Sequence, residues 1–193
     1  MEKMLKVLIT GVTGYIGSHL AKVLFEAGGT VNMLQQSWNG QPHFIFASTA
    51  GAFDAQSPYA RSKLAAEDVI KEKSKNYTIF RFFNVAGSDG MHRQVGRASH
   101  LIRIAAETAA GKRDYMSIYG EDYDTPDGSC VRDYIHVVDL VSAIRDTIKH
   151  GAFNTPYECI GSGKGYSVFN LLHPQYQLKD MCLSAYNIEN RKV

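Results

Sequence analysis

The run "KVLIT", followed at once by "GVTGYIGSHLAKVLFEAGG", constrains this chain more than any other feature. Residues 6–10 have the apolar pattern of a buried strand. Ile16, Leu20, Val23 and Leu24 then recur at helical spacing, and Gly28–Gly29 stops the helix. Gly11, Gly14 and Gly17 sit between the two. Glycines there permit a tight turn, close approach of a pyrophosphate and close helix–strand packing, and the helix N-terminus adds free N–H groups and a partial positive charge. A purely structural glycine turn is the alternative. In this strand–turn–helix setting the spacing GxxGxxG reads as a dinucleotide-type turn.

The rest of the chain keeps the alternation. "TVNML" (30–34), "HFIFAS" (43–48) and "YTIFRFF" (77–83) read as strands, the second continuously apolar, as strands covered on both faces are. Ser57 is a suitable N-cap and Pro58 a suitable first-turn residue for a helix to about Lys75. A helix is expected over 99–111, short strands at "YMSIY" and "RDYIHV", a helix in "VVDLVSAIRDTIKHG" and a last strand at "YECIG". Strands alternating with helices imply an α/β fold with a mainly parallel sheet. After Leu172 no clear period is visible and Pro174 interrupts any helix, so 173–193 is expected to be a weakly ordered tail.

Composition removes several classes. The 193 residues are 45% hydrophobic and 21% charged, as in a soluble globular protein with one core. A net charge of +2 without a basic cluster gives no reason to expect nucleic acid. No apolar run reaches membrane-spanning length. Cys130, Cys159 and Cys182 are far apart and form no zinc-type cluster. Reduced thiols in a cytoplasmic compartment, with no metal, are the expectation.

"SPYARSK" carries the chemistry. Tyr59 and Lys63 stand at i and i+4 of the expected helix, so they share a face. A tyrosine is a poor base at its ordinary pKa near 10, and a neighbouring lysine cation favours the phenolate. Thr49, ending the "FIFAST" strand, can hold a substrate hydroxyl. The spacing alone is weak; it gains force from following both a glycine turn and a strand that ends in Ser/Thr.

With these residues in view, "GVTGYIGSHL", "FIFAST", "SPYARSKLAAE" and "FRFFNVAG" resemble the extended short-chain dehydrogenase/reductases. "GKRDYMSIYGEDYDTPDGSCVRDYIHVVDL" and "GSGKGYSV" resemble the UDP-glucose 4-epimerases in particular. The resemblance implies NAD held by Gly11, Gly14, Tyr15, Ile16, Gly17, Gln35, Tyr59, Lys63 and Phe83. It implies Tyr59 as proton acceptor at the sugar 4-hydroxyl, with help from Thr49, and Lys63 on the nicotinamide ribose. It places Asn84, His100, Leu101, Tyr119 and Arg132 around UDP, with Arg132 at the diphosphate. The implied reaction interconverts UDP-galactose and UDP-glucose through a 4-keto sugar, in galactose metabolism, and a homodimer is compatible with it. Phe83 and Leu101 could equally be core, and Arg132 could pair with Asp133 or Asp139. His136 and Asp139 read as structural.

The chain also departs from the family. Gln35 stands where an acid holds the adenosine ribose, losing the charge-assisted part of that contact. Only "QQSWNGQPH" joins the second strand to "HFIFAS", whereas a parallel crossover needs a dozen or more residues. Nine extended residues span at most roughly 30 Å, which reaches but leaves no room for two further strands and their helices. The expected architecture is thus a Rossmann-like, mainly parallel sheet with strands missing, plus a small incomplete substrate lobe. Residues 1–172 form the single NAD(P)-binding domain, with the lobe segments at about 84–136. A catalytically silent nucleotide-binding remnant, or another nucleotide-sugar epimerase or dehydratase, are the alternatives to an active UDP-sugar 4-epimerase.

Overall fold

A computed structural model describes residues 7–11, 13–26, 43–92, 94, 96, 98–150, 156–169 and 177–190. In chain order the elements are α1 (Tyr15–Glu26), β1 (Phe44–Thr49), α2 (Pro58–Lys73), β2 (Tyr77–Phe82), β3 (Asn84–Ala86), α3 (Leu101–Ala109), β4 (Val131–His136), α4 (Val137–His150), β5 (Glu158–Ile160), β6 (Gly165–Ser167) and α5 (Gln177–Glu189). A short 3-10 helix, Ala50–Phe53, follows β1.

The main sheet has the order β1-β2-β5 and is parallel throughout, with Phe44 opposite Tyr77, Thr49 opposite Phe82 and Phe82 opposite Ile160. β2 is the strand that both faces of the domain use, and Thr78 to Phe82 are all buried. Side chains alternate across a strand. Phe80 and Phe82 stack with centroids 6.2 Å apart and join Leu20 and Leu24 of α1 and Leu140, Val141 and Ile144 of α4 in one core. Arg81 points the other way, to α2.

On that opposite face, beside the buried Ile79, lies a buried charged pair. Glu67 of α2 has no exposed surface and Arg81 is 5% exposed. Arg81 donates from Nε to Oε1 at 2.9 Å and from Nη2 to Oε2 at 2.7 Å, and Ser48 Oγ of β1 donates to Oε1 at 2.5 Å. The guanidinium lies 3.9 Å from the Tyr157 ring centroid and 4.8 Å from that of Phe53. Burial alone would raise the Glu67 carboxyl; the bonds from Arg81 and Ser48 reverse this and leave it below its ordinary value. A fully hydrogen-bonded bidentate pair is the form in which a buried charge is tolerated.

A second small sheet, β3-β4-β6, pairs β3 with β4 in parallel and β4 with β6 antiparallel. Its own core joins Ala86, Tyr134 and Tyr166 to Ile102 and Ala106 of α3 and Met181 and Ala185 of α5. The parallel main sheet is what the strand–helix alternation implies, and this second sheet is the small lobe that the family resemblance implies.

Several expectations change. The "KVLIT" strand is represented by a single bridge residue, Val7, with residue 6 outside the described residues. "YMSIY" is not a strand: Tyr115 and Tyr119 are 76% and 83% exposed and gain no sheet neighbour to bury them. "YTIFRFF" ends at Phe82, and the chain then switches to the second sheet at Asn84. The expected tail contains α5, whose Met181 and Ala185 are buried; the spacing of Met181, Cys182, Ala185 and Tyr186 is the helical signal that Pro174 obscured. The strand at 30–34 and Gln35 lie outside the described residues.

Glu67→Gln strips the charge from one partner and leaves Arg81 buried and uncompensated. It is expected to cost about 3–5 kcal/mol in urea denaturation. Because the folded Glu67 pKa lies below the unfolded one, the stabilisation it gives is complete above the ordinary carboxylate range. It is lost as pH falls through the lowered folded value. The Glu67→Gln protein should therefore lose less stability than the parent on acidification over that window.

Candidate functional site

The glycine turn forms as its residues require. Gly11 has φ +70°, in the left-handed region open to glycine, and Gly14 N donates to Gly11 O at 2.9 Å, closing the turn into α1. Gly11 and Gly14 are exposed, and nothing lies within 4 Å of where a Cβ at Gly11 would stand. Ile16 and Gly17 follow in the first turn of α1, which contains no acid. The open side of this turn and the unpaired amides of a helix start suit an anion. The phosphate end of a dinucleotide therefore fits the residues present.

Tyr15 does something the motif does not announce. Its hydroxyl donates to Gly87 O at 2.5 Å, tying the glycine turn to the loop after β3. Burial, with the Asp89 charge, pushes its phenol well above the ordinary tyrosine value, so it stays neutral and serves as a strut.

Tyr59, Lys63 and Thr49 come together at the C-terminal end of β1, the sheet end where open α/β folds hold ligands. Ser57 Oγ accepts from Ala60 N at 3.1 Å and starts α2 there. Tyr59, Lys63 and Glu67 follow at four-residue steps, so the buried Glu67 turns Lys63 towards β1. Lys63 Nζ donates to Ala47 O at 2.7 Å and lies 5.8 Å from the Tyr59 ring centroid and 4.8 Å from that of Phe46. Burial holds the Lys63 ammonium below the ordinary lysine value. The Tyr59 ring is 60% exposed. Thr49 Oγ1 accepts from Gly51 N at 3.2 Å, which caps the 3-10 helix.

A cleft of about 230 Å³ opens in the small lobe, between β3, β4, α3 and α5 and beside Tyr15; Tyr59, Lys63 and Thr49 do not line it. Asn84, His100, Leu101 and Arg132, four of the residues expected around UDP, line it together with Tyr15, Arg103 and Tyr134. His100 starts α3 without a side-chain cap bond. Asn84 Nδ2 donates to Asp133 O at 2.9 Å. Arg132 is exposed and donates to Val131 O at 2.9 Å. Tyr119 does not line this cleft, and neither does Phe83, whose backbone N–H donates to Ile160 O at 3.2 Å.

Three features escaped the sequence. The side chain of Asp133 accepts from Ser162 N at 2.8 Å, Ser162 Oγ at 2.7 Å and Gly163 N at 3.0 Å, so it clamps the "GSGKG" loop rather than pairing with Arg132. Ala185, Ile188 and Glu189 of α5 form one wall of the cleft. The third is a cluster of His19, Asp89 and His92 with potential ligand atoms within 4.8 Å of one another. Asp89 there already accepts from Lys22 Nζ at 2.9 Å and from the amides of Met91 and His92 at 2.9 and 2.8 Å. Burial raises this carboxyl, and those bonds together hold it far below the ordinary range.

Comparisons with known proteins bear on the family and the fold. The model of the "NAD dependent epimerase/dehydratase family" matches residues 7–46 and 37–159. The chain belongs to that family. The two matched segments overlap at residues 37–46, within and just after the run "QQSWNGQPH". A UDP-glucose 4-epimerase of Halalkalibacterium halodurans is 40% identical over 127 residues, 58% of this chain and 36% of that protein. The chain spans about half or less of the curated relatives' length. The crystal structure of UDP-glucose 4-epimerase from Bifidobacterium longum in complex with NAD+ and UDP superimposes with a TM-score of 0.78 at 20% identity, covering 95% of this chain and 98% of that one. An NAD-dependent NDP-hexosamine 5,6-dehydratase superimposes at 0.67 with 19% identity, covering 88% and 79%. These likenesses show a shared Rossmann-like fold. No helix among the described residues is long and apolar enough to cross a membrane.

Asp133→Ala removes three hydrogen bonds to a carboxylate at once. A loss of about 2–4 kcal/mol is expected by urea denaturation, with faster proteolytic cleavage in 161–164.

Proposed function

We propose that this protein is a shortened UDP-sugar 4-epimerase, interconverting UDP-galactose and UDP-glucose at an NAD site built on the glycine turn. The observation that carries this reading is the placing of Tyr59, Lys63 and Thr49 at one end of β1. Family membership supports it, as do the four expected UDP residues gathered in one cleft.

Gly11, Gly14, Ile16 and Gly17 would hold the pyrophosphate of NAD, which when bound supplies hydride exchange at the sugar C4. Tyr59 accepts the proton of the 4-hydroxyl and returns it when the 4-keto sugar has turned its other face. The exposed phenol is accessible for this. Lys63 is the nearby cation, and its bond to Ala47 O holds it beside the Tyr59 ring. Thr49 steadies the substrate hydroxyl. Arg132 and His100 offer donors to the diphosphate, and Asn84 and Leu101 complete the wall. The sugar nucleotide is the partner implied.

A second reading, nucleotide binding without turnover, draws on one observation. One of the three donors of the Lys63 ammonium is taken by a backbone carbonyl, Ala47 O, which leaves fewer for a cofactor ribose.

Two measurements separate the readings. The purified protein, denatured, should release NAD detectable by its absorbance. Conversion of UDP-galactose to UDP-glucose should then fall about 10²–10⁴-fold in Tyr59→Phe with NAD retention unchanged, as expected for loss of a general base. Retained NAD with no conversion by the parent supports the second reading. A Tyr59→Phe protein as active as the parent overturns the role of Tyr59.

A further inference from the structure

We infer that α5 is part of the ligand site itself, with Ile188 and Glu189 setting the size and charge of the nucleoside diphosphate group that the cleft admits. This rests on the reading of the cleft as a nucleotide-sugar site. It goes beyond that reading because α5 lies outside both segments that match the family model.

The helix is fixed firmly enough to act as a wall. Met181 and Ala185 are buried against α3. Ser184 Oγ accepts from Ser88 N at 3.2 Å and lies 3.2 Å from His136 Nε2, anchoring α5 to the loop after β3 and to the end of β4. Ile188 is half-buried and lines the cleft across from the strand residues. One turn of helix cannot be repositioned by a ligand without breaking these contacts.

Glu189 brings a negative charge to the same wall. Its side chain is 4% exposed, and Lys112 Nζ donates to Oε2 at 2.9 Å while Arg103 Nε lies 3.7 Å from Oε1. Arg103 also lines the cleft, but its Nε is shared with Glu107 Oε1 at 3.0 Å. The carboxylate therefore draws down positive potential that would otherwise face a diphosphate entering beside Arg132. In a partly desolvated cleft such a charge acts over several ångströms and is screened by salt.

The test is calorimetric titration of the full chain with UDP, with uridine and with NAD, for the parent, Ile188→Trp and Glu189→Gln, each checked for folding by circular dichroism. Ile188→Trp should weaken UDP roughly tenfold or more by filling the cleft, with NAD affinity unchanged. Glu189→Gln should tighten UDP roughly threefold or more at low salt, an advantage that vanishes at high salt, and leave uridine within about twofold. General damage to the fold would instead weaken every ligand. If the parent binds UDP and both variants bind it equally well, the inference is wrong while the reading of the cleft stands. An effect of Ile188→Trp without one of Glu189→Gln keeps the wall and overturns the charge role. A parent that binds NAD but not UDP overturns the nucleotide-sugar reading, and this inference with it.

Discussion

The buried pair of Arg81 and Glu67 is the interaction on which the arrangement depends. It joins β2 to α2, and through Ser48 it joins both to β1. The Tyr157 and Phe53 rings, from two other parts of the chain, pack near the guanidinium. The pair therefore fixes how α2 is rotated about its own axis. Rotation of α2 decides where Lys63 and Tyr59 stand, because they lie one and two helical steps of four residues towards its N-terminus. A polar contact in the interior thus positions side chains at the ligand end of the sheet, at the expense of burying a charge on both strand and helix.

Much of this was legible before any coordinates. β1, β2, α2 and α4 follow from continuous apolar strands, an Ser-Pro helix start and 3.6-residue periodicity. The glycine turn and the shared helix face of Tyr59 and Lys63 follow from local spacing, while the rotation of α2 that aims the pair does not. His100, Leu101, Asn84 and Arg132 are different. They come from three separate segments, and only the resemblance of those segments to a known family brought them together before the fold did.

What was not legible depends on long-range partners. Arg81 reads as one polar residue in an apolar strand, and nothing nearby in sequence says that Glu67 meets it. Asp133 looked available to Arg132 because the two are adjacent, but adjacent strand residues point to opposite faces, and Asp133 found the "GSGKG" loop instead. "YMSIY" has strand-like composition without a neighbouring strand to pair with, so propensity lost to topology. α5 was obscured because its apolar residues are few and follow a proline.

Gly87 illustrates how tightly the small lobe restricts its own future variation. Its φ of +87° already disfavours other residues, and a Cβ there would overlap the His136 ring. The ring cannot simply turn aside, since it also meets Ser184 of α5 and accepts from Val138 N. Drift at position 87 would thus require a smaller residue at 136, which in turn would release 184. Three positions scattered over almost a hundred residues behave as one unit of inheritance, able to change in concert but not one at a time.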